Sequence, residues 1–77
     1  MQLSERACEI LDLFREAHRK PGARMMVGTL DADLGMGPAA VAAISELTEL
    51  EYVVTPDAQT IELTERGFDA VQRGNYR

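Results

Sequence analysis

The residues able to carry chemistry are few. There is one cysteine, Cys8, and one histidine, His18, in 77 residues. A nucleophile–histidine–acid set cannot be assembled from so thin a stock, because the nucleophile needs an adjacent base and that base needs an orienting partner. A zinc site needs several spaced Cys or His ligands, and His18 has no second histidine near it, so it reads as a surface residue. Cys8 has no disulfide partner and sits beside an apolar stripe, where it reads as a small half-buried hydrophobe. Asp31 and Asp33 could act as a carboxylate pair, but no basic or metal-binding residue accompanies them. Gly35-Met36-Gly37 lacks both the length and the lysine of a phosphate-binding loop. The expectation is a protein that is no enzyme, with no cofactor and no metal.

Charge is the stronger signal. Eight Lys+Arg stand against 13 Asp+Glu, a formal net charge of −5. Residues 25–63 hold no lysine or arginine and seven acids: Asp31, Asp33, Glu46, Glu49, Glu51, Asp57 and Glu62. Of the basic residues, five lie in residues 1–24 and three in 64–77. Such a balance opposes binding to anionic membranes and, in general, to nucleic acid.

These side chains must be positioned by one small domain, since 77 residues allow no second one. Leu3, Ala7, Ile10, Leu11, Phe14 and Ala17 recur at helical spacing and predict a helix over 4–20, capped by Ser4 and stopped by Pro21-Gly22. Arg24-Met25-Met26-Val27 suits a brief strand. Thr29 can cap a helix over Leu30–Leu34 that Gly35 ends. Pro38 opens the next helix, about 38–50, with Val41, Ile44, Leu47 and Leu50 as its inner stripe. Tyr52–Thr55 and Thr60–Leu63 are β-prone runs around the turn-like Pro56-Asp57-Ala58-Gln59, a hairpin that would cover the helices with Val54, Ile61 and Leu63. Thr64 then caps a last helix, with Phe68 and Val71 inward and Gly74 at its end; Gly67 inside it implies a packing reason. No apolar run of about 18 residues exists, and the first residues lack a signal-peptide pattern, so a cytoplasmic protein is expected.

In this order the phrases resemble a known family. Val27 through Val41, with Gly35-Met36-Gly37 as its turn, resembles the helix-turn-helix of winged-helix bacterial regulators of the MarR-like and PadR-like group. Leu47 to Val53 resembles the passage from their recognition helix into the wing, and Ile61 to Gly67 the phrase that closes the wing. Glu51 stands where the family usually has a glycine. The resemblance implies an α+β winged helix: a three-helix core, a two-stranded hairpin wing and a C-terminal helix. It also implies DNA binding. The basic group Arg15, His18, Arg19, Lys20 and Arg24 is the candidate nucleic-acid footprint in the sequence, and backbone N–H groups at Thr29 and at the start of the third helix could hold a phosphate.

The charge map points elsewhere. Duplex DNA is held by cations on phosphates and read largely by Arg, Lys, Asn and Gln. The expected recognition helix presents Ala39, Ala40, Ala42, Ala43 and Glu46 instead. The favoured expectation is therefore a protein–protein interaction module. Its face would comprise Pro38, Ala39, Ala42, Ala43, Glu46, Asp57 and Gln59, and its partner would be basic or itself nucleic-acid-binding. Only Leu3 and Asn75-Tyr76-Arg77 remain for self-association, so a monomer or weak dimer is expected.

Overall fold

The computed structural model describes residues 3–17, 22–35, 37–74 and 76. Seven elements follow one another: α1 (Glu5–Ala17), β1 (Arg24–Met26), α2 (Val27–Leu34), α3 (Ala39–Glu49), β2 (Val53–Asp57), β3 (Thr60–Leu63) and α4 (Glu65–Arg73). The fold is α+β, four helices with a three-stranded antiparallel sheet in the order β1-β3-β2. The sheet is larger than the expected hairpin because β1 pairs with β3, Met25 opposite Ile61. Gly22 N–H donates to the Leu63 carbonyl and Leu63 N–H to the Ala23 carbonyl, each at 2.8 Å, which extends that pairing.

The caps follow the sequence. Ser4 Oγ accepts from Ala7 N–H at 3.3 Å, and Thr64 Oγ accepts from Gly67 N–H at 3.0 Å. Gly74 ends α4 in the left-handed region. The turn after α3 is also specific. Tyr52 N–H donates to the Leu47 carbonyl and Glu51 N–H to Thr48, the paired bonds of a Schellman motif. That motif places Glu51 at φ 64°, a conformation that favours glycine.

Phe14, Ile10, Leu11, Leu30, Leu47, Ile61, Leu63 and Val53 are the largest fully buried side chains. Four expectations need correction. Val27 begins α2 rather than ending β1, which puts Thr29 in the first turn instead of at the cap. The inner face of α3 is Ala40, Ala43 and Leu47; Val41 is 72% exposed, while Ile44 and Leu50 are half-buried. Small side chains at Ala7, Ala40 and Ala43 let α1 and α3 pack against each other there. In β2 the parity is reversed: Val53 faces Leu63 across the sheet and is buried, so Val54 points outward and is 44% exposed. Finally, β2 runs on through Pro56 to Asp57, leaving Ala58-Gln59 as the turn. Pro56 is accommodated because β2 is an edge strand with an irregular register between Val54 and Asp57.

Gly67 has the packing reason its position implied. A Cβ there would lie 2.0 Å from the Tyr52 carbonyl oxygen. The same oxygen accepts from Thr64 N–H and lies 3.0 Å from the Thr64 hydroxyl, which also donates to the Glu51 carbonyl at 2.6 Å.

Candidate functional site

The orientation of α3 divides the expected interaction face. At about 100° per residue, burying Ala40, Ala43 and Leu47 sends Val41 and Ile44 to the flank nearer the hairpin, and Ala39, Ala42 and Glu46 to the opposite one. Ala40 and Ala43 are 4% and 3% exposed, so their expected presentation on the recognition helix, and with it Ala43's place in the contact face, is corrected: both are core residues. Glu46 is half-buried, and its Oε2 accepts from the Ser4 N–H at 2.9 Å, helping to hold the start of α1. Pro38, Ala39 and Ala42 are exposed, as expected of surface residues.

The hairpin tip is fixed by its own backbone. Asp57 Oδ1 accepts from Gln59 N–H at 2.8 Å, an Asx turn. The Gln59 carbonyl in turn accepts from Val27 N–H at 2.7 Å, which ties the tip to the start of α2. Between this tip and α3 lies an open groove of about 500 Å³, lined by Val27, Val41, Ile44, Thr55, Asp57 and Ala58. Thr55 lies in the irregular stretch of β2 between Val54 and Asp57 and lines the groove with Asp57. Of the expected contact residues only Asp57 lines this groove, and the exposed Gln59 adjoins it. The sequence pattern hides the aliphatic members, because hydropathy places Val41 and Ile44 on the inner stripe of α3. The available signal was the competing stripe Ala40, Ala43, Leu47 at the same spacing.

Two of the arginines expected at nucleic acid, Arg15 and Arg24, have protein partners. Arg24 Nε lies 2.7 Å from Glu62 Oε1, across the β1–β3 register. Arg6 pairs with Glu9, Arg66 with Glu51 and Arg73 with Asp69. Arg15 hydrogen-bonds the Tyr76 side chain and, with Phe68, Val71 and Gln72, lines a second pocket of about 390 Å³ between α1 and α4. Thr29 is half-buried. His18, Arg19, Lys20, Met36, Asn75 and Arg77 lie outside the described residues, as do the Asp31 and Asp33 side chains.

Tyr76 packs back on α1, a contact the sequence pattern did not signal. Its hydroxyl donates to Asp12 Oδ1, its carbonyl accepts from Cys8 Sγ at 3.6 Å, and both Cys8 and Tyr76 are buried. Burial first, and then the Asp12 hydrogen bond, push the Tyr76 phenol above its ordinary value, with Arg15 opposing.

Among the described residues no group of three or more His, Cys, Asp or Glu is arranged to hold a metal ion, and no helix is long and apolar enough to cross a membrane. Comparison with known proteins finds no matching family model, no matching curated sequence and no matching solved structure.

Proposed function

We propose that this chain is a small non-catalytic module on a winged-helix scaffold, regulator-like in fold, that acts through protein–protein contact in the cytoplasm, as a monomer or weak dimer. The face used is the acidic helix-turn-helix and wing, with α2–α3 as the former and β2–β3 as the latter. One observation carries the reading: the segment 25–63 has no cation, yet it keeps Val41, Met26 and Val54 at 72%, 53% and 44% exposure. Exposed aliphatic side chains amid acids fit a protein surface better than a phosphate backbone.

The test is fluorescence anisotropy with a labelled random duplex near physiological salt. Binding weaker than about 10⁻⁴ M is expected, the weak end of ordinary non-specific association. Submicromolar binding would instead establish the DNA-binding regulator that the sequence resemblance implies, with Arg15, Arg19, Lys20 and Arg24 the first residues to replace.

A further inference from the structure

We infer that the groove between α3 and the hairpin tip is the docking site itself, and that its occupant is a short basic segment of another protein carrying an aliphatic residue next to lysine or arginine. This rests on the reading of the chain as an acidic interaction module and narrows it to one flank of α3. The groove is preformed: Val27 N–H to Gln59 O and Gln59 N–H to Asp57 Oδ1 hold its far wall, and buried Leu47 anchors the near one. Its floor and lip are aliphatic, with Val27 and Ile44 half-buried and Val41 exposed, which suits one inserted aliphatic side chain.

Charge chooses the occupant. Among the described residues that line the groove, Asp57 is the ionisable one. One Asp57 oxygen is held by the Gln59 amide, which leaves the other carboxylate oxygen able to accept from a cation. No lysine or arginine occurs anywhere in residues 25–63 to answer that carboxylate from within the face. A second copy carries the same Asp57 on this face and a net charge of −5, and an anionic lipid or nucleic-acid surface would be repelled by that charge. A basic segment meets both demands. The opposite flank of α3 offers less, because Glu46 is already engaged with Ser4.

The experiment titrates the full ¹⁵N-labelled chain with a blocked peptide, Gly-Lys-Leu-Arg-Lys-Gly, and follows amide shifts. Saturable shifts at Val27, Val41, Ile44, Thr55 and Asp57 are expected. A peptide with serine for its leucine should bind about tenfold more weakly, the loss expected when one leucine side chain is no longer buried. Asp57→Asn keeps the turn acceptor but removes the charge; it should weaken binding about two- to fivefold, as for an exposed ion pair, and flatten its salt dependence. Val41→Ser should also weaken binding and leave the spectrum folded. No saturation, or equal binding of leucine and serine peptides, overturns the proposal. Saturable shifts confined to Ala39, Ala42 and Glu46 overturn the groove while leaving the interaction module standing. Submicromolar binding of duplex DNA with shifts on α3 removes the reading beneath it.

Discussion

The two flanks of the turn that joins α3 to β2 are built on opposite principles. On one side α4 presses on Tyr52 so closely that Gly67 has no room for a single methyl group. On the other, aliphatic Val41 stands in solvent beside a groove with space to spare. Tight packing on the first side fixes the angle of the hairpin to the helices. The open side is then left with walls held in place and a floor of half-buried Val27 and Ile44. Close fit marks the part that must not move, and unfilled apolar surface marks the part free to meet something else.

The largest break in that contrast is Gly67→Ala. Overpacking alone costs about 1–3 kcal/mol, and forcing α4 away from Tyr52 leaves its carbonyl without Thr64, about 1–3 kcal/mol more. In so small a domain this should abolish cooperative unfolding in a thermal melt. Leu47→Ala comes next, at about 2–5 kcal/mol, because Leu47 is fully buried on α3 and lies behind both flanks. Chemical denaturation should show its midpoint sharply lowered.

The same contrast explains what could be read from the sequence. The α1 stripe, the Ser4 and Thr64 caps, the Gly74 stop and the constraint at Gly67 are local signals, and local signals were legible. The orientation of α3 was not. Val41, Ile44, Leu47 and Ala40, Ala43, Leu47 are both helical stripes, and hydropathy favours the first. Close packing of α1 selects the second, because a small side chain suits a helix–helix contact. Val53 and Val54 pose the same problem in a strand, where a shift of one residue exchanges the faces. Tyr76 was illegible for another reason: its partners Cys8 and Asp12 are 68 and 64 positions away. The groove follows from α3 orientation and the irregular register of β2 together, and neither shows in the linear pattern.

Tyr76 tests whether a distant contact belongs with the tight side. Tyr76→Phe should cost about 1–2 kcal/mol through the lost hydrogen bond to Asp12. Its pH dependence has a definite sign. The folded-state pKa is raised, so the folded protein holds the phenolic proton more firmly than the unfolded chain. That contribution is complete below the ordinary tyrosine value near 10 and is lost as pH rises through the folded value. Stability measured from pH 9 upward should fall more steeply in the parent than in Tyr76→Phe.

Glu51→Gly sharpens the tight side in the favourable direction. A non-glycine residue in the left-handed region costs about 1–2 kcal/mol, and glycine returns about half of that through its greater freedom when unfolded. The exposed pair of Glu51 with Arg66 is worth little. A net gain of about 0.5–1 kcal/mol is expected, read as a higher denaturation midpoint with an unchanged slope.

The smallest effect on stability belongs to the open flank. Val41 buries little of itself, so Val41→Ser removes almost no contact that folding created, and a surface change of this kind stays within about 0.5 kcal/mol. The added hydroxyl needs no partner because water reaches it. Serine is a poorer helix former than alanine but close to valine, so the backbone is equally indifferent. Parent and variant should therefore melt together within error. That equality makes Val41→Ser informative beside Gly67→Ala. A destabilisation above about 1 kcal/mol would mean that Val41 is packed against the hairpin, closing the groove and removing the contrast between the two flanks.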